Sequence, residues 1–480
     1  MMHTLLLSSV IVSLAYLALL TGAAVVFALR YGGRREHPMD DHDALAASRF
    51  TIPVSLIVPL GANAASAKLT TASLLALSYP EFEVIIVADD QPGASLDALK
   101  KEWELSSHEL FYRQSLATSA VRRIYRSARD ARLLLVEKTA AGRADALNCG
   151  LNVARFRYVS VVDAGVVFEP DALLRAMAAP LRDPANVVAA SSHVEARGDD
   201  EGQFGPGAAR QWLRSIRSLL DSRIAWRALK KGLGPEGAVV VWRRDALLQM
   251  GGFSTGVADP DLDMMVRLQM SLPASSSLPD PSRSTNPSHL ANPSHQTDPS
   301  HLTNPTDLSH PTSVLSPAME SRAIPAVVRT TEIFGRVDAG VRRSSVADAA
   351  RRQRAVLEAL TAGRGGGGEA RRTLAYFTMS QFVTPLLTAW VVAGTAIGAG
   401  AGWWGWREVV LAVVLLSLGQ ALVSSAALLL RGSAPGAPDE RTLTRLLLLA
   451  PFELVVYGPA AACGRVAGVC SFLKSLMAHG

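Results

Sequence analysis

Three short stretches carry side chains that could act on a charged substrate: Gly142-Arg143-Ala144-Asp145-Ala146-Leu147-Asn148, Val161-Val162-Asp163-Ala164-Gly165 and Asp259-Pro260-Asp261-Leu262-Asp263. Each sets carboxylates or tight backbone beside an apolar strand or a helix start, an arrangement able to hold a charged diphosphate near a general base. A departing diphosphate needs positive charge or a metal ion beside it. Arg143 offers a guanidinium whose fork matches phosphate oxygens, and Asp163, ending an apolar run, can orient a ribose or help hold a divalent cation. An acceptor hydroxyl has a high pKa and must lose its proton as it attacks, so a second carboxylate is required opposite the leaving group. Asp261 is the candidate. It follows the Gly251-Gly252-Phe253 turn and heads the helix-like run Leu262 to Met270, where a helix N-terminus would keep it ionised. The plainer alternative is a helix cap, a common role for Asp before an apolar run.

Such groups need a scaffold that brings distant segments together. From Pro53 the pattern alternates: Val54 to Val58 and Val84 to Val87 are short β-branched runs, and Thr70 to Leu77 between them suits a helix. Leu133 to Val136 and Tyr158 to Val162 read as further buried strands, and Asp171 to Ala178 as a helix begun after Glu169-Pro170. Strand and helix alternation of this kind predicts an open α/β sheet, with ligands at the carboxyl ends of its strands.

Apolar segments flank this region. Leu5 to Leu29 is an uncharged run followed by Arg30, Arg34 and Arg35. A cleaved leader would carry its positive charge before a core of about 7 to 15 residues, so the reading is a retained helix with the chain beyond residue 30 in the cytoplasm. Leu374 to about Gly398 and Val409 to Leu430 are each near the roughly 20 residues needed to span, with Arg371, Arg372, Arg431 and Arg441 on one side. The stretch Leu446 to Cys463 is interrupted by Pro451, Glu453 and Pro459, and both a span and an interfacial helix fit it.

Between these parts, residues 280 to 309 repeat as DPSRST, NPSHLA, NPSHQT, DPSHLT, NPTDLS. Proline at every sixth position removes backbone donors and little is left to bury, which predicts a disordered insertion. The chain is 49% hydrophobic with a formal charge of +6, and its arginines cluster beside apolar segments, which suits the positive-inside rule and argues against nucleic acid as a partner. Cys149, Cys463 and Cys470 have no metal-site spacing and cannot all pair, so neither a disulfide framework nor a zinc site is expected.

The order of these motifs resembles the family 2 glycosyltransferases, in particular the membrane-bound branch that includes cellulose, hyaluronan and poly-N-acetylglucosamine synthases. The likeness covers about Pro53 to Met270 and, more loosely, Ile324 onward. Val54 to Pro59 is similar to that family's first strand, Glu83 to Asp90 to its second, and Gly142 to Asn148 to its G-K-x-x-A-L-N element with Arg143 in place of Lys. The resemblance implies a GT-A-like α/β domain that binds a nucleotide-sugar, with transmembrane helices at both ends. It implies Asp89 and Asp90 near the nucleotide base or ribose, Arg143 and Asp163 at the diphosphate, Asp163 as a ligand of Mg or Mn, and Asp261 as the base. The implied activity is inverting transfer from a UDP-sugar to a lipid or glycan acceptor at the cytoplasmic membrane face; a silent scaffold of the same fold is the alternative. The expected divisions are a membrane helix in 1–30, the GT-A-like domain in 50–270, the insertion in 271–322, an acceptor-side, membrane-proximal segment in 323–372, and membrane or interfacial helices in 373–480.

The chain departs from that family at three places. Gly165 stands where the D-x-D element has its second Asp, and Pro260 replaces the Glu of the E-D pair. The region Asp348 to Arg354 keeps arginines without the tryptophan of Q-x-x-R-W. One lost carboxylate should weaken a metal site built on hard oxygen donors. Without the tryptophan on which a growing glycan would stack, single addition is the expectation.

Overall fold

A computed structural model of the chain describes residues 2–31, 51–60, 67–89, 93–197, 212–218, 220–221, 224, 238–271, 326–329, 333–337, 346–362, 375–376, 378–432 and 440–479. Asp90 and the hexad repeat lie outside these residues.

The parallel heart of the sheet is β1 (Val54–Leu60), flanked by β2 (Phe82–Asp89) and β6 (Tyr158–Val161). Beyond β2 comes β5 (Leu133–Lys138), also parallel. β1 is buried along its whole length and β2 over all but its last residue, because helices cover both faces; such strands must read as unbroken apolar runs. Alternation still decides which face each residue serves. Leu56, Val58, Val84 and Ile86 pack under α2 (Ala67–Leu75), α3 (Gly93–Glu102) and α5 (Ala172–Arg182). Ile57, Ile85 and Val87 face α4 (Arg143–Val153) and α7 (Pro260–Ser271). α4 lies so close to the sheet that a Cβ on Gly150 would fall 2.5 Å from a methyl of Ile57.

Antiparallel strands extend the sheet both ways. β4 (Val121–Ser127) pairs with β5 and β3 (Leu105–Ser107) with β4. On the other side β9 (Ala238–Arg243), followed by α6 (Arg244–Gln249), joins β6 to β8 (Val187–Arg197). Two strands from beyond the insertion complete the sheet: β10 (Ala326–Arg329) pairs with β8, and β11 (Ile333–Val337) lies between β8 and β7 (Val166–Phe168). The sheet therefore draws on residues past 270, and the segment 323–372 is partly sheet.

Among the described residues, four helical stretches are long and apolar enough to cross a membrane: Met2–Arg30, Thr378–Gly400, Trp406–Leu429 and Gly458–Met477. The first three match the expected spans. They lie in α1 (Met2–Tyr31), in a π-helical turn at Thr378–Val383 that runs into α9 (Thr384–Gly400), and in α10 (Trp406–Gly432). The fourth lies in α11 (Glu440–His479), which continues through Pro451 and Pro459, and it begins later than the stretch read from the sequence. Leu446 and Ala450 join Ala28, Ala426, Ala427 and Leu428 in one cluster with Trp212, Leu213, Ile216 and Leu220. Further along, Arg465 Nη1 donates to the Pro385 carbonyl at 3.0 Å. Both halves of α11 thus meet the same end of the α9–α10 hairpin. The second half runs beside α8 (Val346–Ala362), with Gly464 against Val346 and Ala349 and Gly468 against Ala350 and Gln353.

Candidate active site

The glycine that opens α4 makes the site possible. Gly142 has φ 90° and ψ 175°, a region open in practice to glycine alone. Asp89, at the carboxyl end of β2, holds this turn from below: its Oδ1 accepts the Ala141 N–H at 2.9 Å and its Oδ2 the Gly142 N–H at 2.7 Å. Lys138, which faces Asp89 in the β2–β5 register, donates to Asp89 Oδ1 at 2.5 Å and to Asp145 Oδ1 at 2.7 Å, with no exposed side-chain surface. Burial alone would push the Lys138 ammonium down, but bonds to Asp145 and Asp89 more than offset it and hold the group above its ordinary value. Asp145 also accepts from the Ser119 N–H and hydroxyl, at 3.0 and 2.9 Å. Burial opposes its charge, yet these bonds and Lys138 hold its carboxyl below the usual range.

With the turn so braced, Arg143 projects from the first turn of α4 between two carboxylates. Its Nη1 lies 2.8 Å from Asp163 Oδ1, just past the end of β6, and its Nη2 and Nε donate to Asp261 Oδ2 at 2.8 and 3.2 Å. Both bonds to Asp261 fall on one oxygen; Oδ1 receives none among the described residues. About a third of the surface of each of the three side chains is open, 38% for Arg143 and Asp163 and 34% for Asp261. Crowding by the protein nonetheless pushes the Asp261 carboxyl up to about 6; Arg143 pulls it down, and Asp259 and Asp163 add to the rise. Desolvation raises Asp259 as well. The same burial would lower Arg143, but Asp261 and Asp163 outweigh it and hold the guanidinium well above its usual range.

Asp261 is carried by α7, whose start follows the rules for a helix N-terminus. Asp259 caps it through a 3.1 Å bond from the Leu262 N–H, Pro260 takes the first position, where no N–H is needed, and Asp261 the second. Pro260 therefore starts the helix, and the cap role considered for Asp261 belongs to Asp259. Asp263 is structural: it accepts from Ser254 Oγ at 2.7 Å and Arg267 Nε at 2.8 Å. The N-terminal turns of α4 and α7 converge here, and each helix end adds partial positive charge, about half an elementary charge, that partly balances the carboxylates.

Of the residues singled out in the sequence, Arg143, Asp163 and Asp261 come together in one cluster. Asp89 lies under the Gly142 turn, its carboxylate directed at protein donors. Lys138 gives no signal in the sequence, since a lysine ending a strand looks solvated until the β2–β5 register places it opposite Asp89. Asp145 and Asp259 lie within the motifs, and their bonding to Lys138 and to the Leu262 N–H is visible only in the fold. Cys149 is buried, and burial pushes its thiol up to about 11, far from a reactive thiolate.

The donor set bears on a metal ion. Gly165 has φ 98° and its N–H donates to buried Thr70 Oγ1 at 2.8 Å, so a carboxylate-bearing residue there would need a strained backbone. Asp163 is already engaged by Arg143, and no group of three or more His, Cys, Asp or Glu placed to hold a metal occurs among the described residues. Mg and Mn are commonly held by one or two carboxylates together with substrate phosphates. A single carboxylate, that of Asp163, is compatible with a cation held largely by substrate phosphates.

No protein-family model and no curated protein matches the chain. Solved structures do. A mannosyltransferase, PcManGT from Pyrobaculum calidifontis, solved with GDP-Man and Mn2+, is 18% identical, with 93% of this chain and 99% of that one covered and a TM-score of 0.51. TarS residues 1–349 from S. aureus, solved with UDP and with UDP-GlcNAc, is 12% identical, with 85% of this chain and 92% of that one covered and TM-scores of 0.37 and 0.36. At 18% identity the first likeness speaks to the fold alone: a mixed α/β sheet with helices, shared with a glycosyltransferase.

Proposed function

We propose that the chain is a membrane-bound, inverting glycosyltransferase of the GT-A type, moving a sugar from a nucleotide-sugar, UDP-linked by the sequence resemblance, to a lipid or glycan acceptor at the cytoplasmic membrane face. The observation that carries this reading is the guanidinium of Arg143 lying between Asp163 and Asp261 at the converging N-termini of α4 and α7. Two of the five guanidinium N–H donors are hydrogen-bonded to Asp261, and Nη1 forms an ion pair with Asp163, which leaves N–H donors for a diphosphate.

In the proposed step the acceptor oxygen attacks the anomeric carbon from the face opposite the diphosphate. The new O–C bond forms as the bond from that carbon to the phosphate oxygen breaks; the electron pair leaves with the nucleoside diphosphate, and the acceptor proton passes to Asp261 Oδ1. A carboxyl near 6 is mostly ionised at neutral pH and still basic enough to share that proton in the transition state. Arg143 supplies charge beside the leaving phosphate. Asp89 and Lys138 act through the Gly142 turn; Asp90, beside them in sequence, is assigned to the nucleotide by resemblance alone. A divalent cation, when bound, would be held by Asp163 and would stabilise the leaving charge as a Lewis acid.

An acceptor embedded in the membrane is supported by the packing that runs outward from the base. Val266 of α7 meets Val356 and Ala359 of α8, and α8 lies on α11. The scaffold alternative draws on Gly165 and Pro260. Purified protein, assayed for nucleotide-sugar binding and for hydrolysis or transfer across UDP- and GDP-linked donors, separates the two. Turnover of any donor supports the transferase; neither binding nor turnover with all of them supports the scaffold.

A further inference from the structure

The turn that delivers Asp261 is held from outside the sheet. Glu358, on α8, accepts the Ala258 N–H on its Oε2 at 2.6 Å, one hundred residues away in sequence. Its other oxygen takes the Nε of Arg354 at 2.6 Å, one helical turn earlier, which fixes the rotamer. The Glu358 side chain is only 13% exposed, so the bond is shielded from water. Ala258 immediately precedes Asp259, the cap of α7, and the loop before it turns at Gly256, whose φ of 89° favours glycine. The approach to α7 is also held by the Asp259 cap, the Asp263 N–H bond to the Asp259 carbonyl, the Ser254–Asp263 bond and the Asn148–Phe253 pair; of these ties Glu358 is the one that reaches α8.

α8 is itself held on two sides. Val356 and Ala359 pack on Val266 of α7. Elsewhere on the helix its backbone touches α11 so closely that a Cβ on Gly464 would fall 2.5 Å from the Val346 carbonyl oxygen, and one on Gly468 would collide with the carbonyl of Ala350. Small residues four apart allow two backbones to approach in this way. α11 also carries the apolar segment Gly458–Met477.

We propose that Glu358 is a positioning residue that ties the Asp259–Asp261 turn to α8, so that the seat of α8 on Gly464 and Gly468 of α11 sets the placement of the base. The effect on rate rests on Asp261 acting as the base in the reading above; the tether itself does not. Misplacing a reacting group by about 1 Å can cost on the order of 10²-fold, so Glu358→Ala should lower kcat by roughly 10- to 100-fold while leaving donor Kd unchanged. Glu358→Gln keeps a carbonyl acceptor for the Ala258 N–H and should recover most of that loss. Gly468→Leu, which pushes α8 away from α11, should show the same split between kcat and Kd, and combined with Glu358→Ala it should add little, as expected for residues acting through one contact.

Amide exchange at Ala258, measured on the full chain in lipid nanodiscs, gives a readout independent of turnover. Protection should be lost in Glu358→Ala, kept in Glu358→Gln and weakened in Gly468→Leu, with core amides of β1 unchanged in all three. Ala258 protection that survives Glu358→Ala overturns the proposal, as does a parallel fall in kcat and donor binding. Wild-type protein that turns over no donor, yet loses Ala258 protection in Glu358→Ala, overturns the transferase reading and leaves the tether standing.

Discussion

Asn148 and Phe253 exchange two hydrogen bonds across 105 residues: the Asn148 side-chain amide donates to the Phe253 carbonyl at 2.9 Å, and the Phe253 N–H donates to Asn148 Oδ1 at 2.8 Å. This closed pair joins α4, which carries Arg143, to the turn before α7, which carries Asp261. The turn needs glycine here, since Gly252 has φ 76° and a Cβ on it would fall 2.6 Å from Asn148 Oδ1. Asn148→Ala strands a buried carbonyl and a buried N–H, each costing about 1–3 kcal/mol. The expected result is a melting temperature lower by several degrees together with weaker coupling of the two halves of the site, checked by thermal unfolding and by the transfer rate of the folded fraction.

For Asp261, substitution by Asn keeps the shape of the side chain and removes its basicity. Donor binding should persist, because the proposed phosphate contacts belong to Arg143 and to a cation held by Asp163, while transfer falls by about 10² to 10⁴-fold, the usual worth of a positioned base. The wild-type rate should rise with pH through about 6 as the carboxyl ionises, and that limb should vanish in Asp261→Asn. The raised value has a second consequence. The native carboxyl holds its proton more tightly than the unfolded chain, so this group's contribution to stability falls as pH rises from about 4 to about 6. Equal transfer rates for wild type and Asp261→Asn would rule out the assignment.

Arg143 pulls the Asp261 carboxyl down, so removing its charge should move the acid limb upward. A cation within about 4–6 Å is worth on the order of one to three pH units. Arg143→Gln should shift the limb toward neutrality by an amount in that range and weaken nucleotide-sugar binding; Arg143→Lys should bind better than Arg143→Gln but fail to bridge both carboxylates, since an ammonium lacks the planar fork. A pH–rate profile and calorimetric titration of each variant check both effects. An unmoved limb with unchanged binding would remove Arg143 from the site.

The sheet was readable from sequence where strands are buried on both faces. Val54 to Val58, Val84 to Val87 and Leu133 to Val136 fall inside strands β1, β2 and β5, up to two residues short of their ends, and Tyr158 to Val162 overruns β6 by one residue, because helices on both sides demand continuous apolar runs. β4, with the partly exposed sequence Val121-Arg122-Arg123-Ile124-Tyr125, gave no such run, and β10 and β11 return to the sheet only through long-range pairing that no local pattern announces. The gathering of Arg143, Asp163 and Asp261 was anticipated from motif order. What remained hidden depended on register and docking: Lys138 opposite Asp89, Asn148 against Phe253, and Glu358 reaching Ala258.

A divalent cation should bind in an order that the donor set dictates. Asp163 is the carboxylate that the D-x-D resemblance offers; Gly165 supplies no side-chain oxygen and has its N–H engaged by Thr70, and Asp163 is paired with Arg143. One carboxylate in competition with a guanidinium holds Mg or Mn weakly, since hard cations need several oxygen ligands; a nucleoside diphosphate brings the missing oxygens and also draws on the spare N–H donors of Arg143. Manganese titrated into the protein alone, followed by the loss of its free-ion paramagnetic resonance signal, should therefore show little binding, whereas with a nucleoside diphosphate present the signal should fall as a ternary complex forms. Asp163→Asn should weaken that ternary complex by at least about tenfold, the smaller effect reported for disturbing groups around a bound metal, while Asp261→Asn should leave it intact. Tight manganese binding without nucleotide would mean that the protein supplies more ligands than Asp163, and a ternary complex insensitive to Asp163→Asn would place the cation elsewhere.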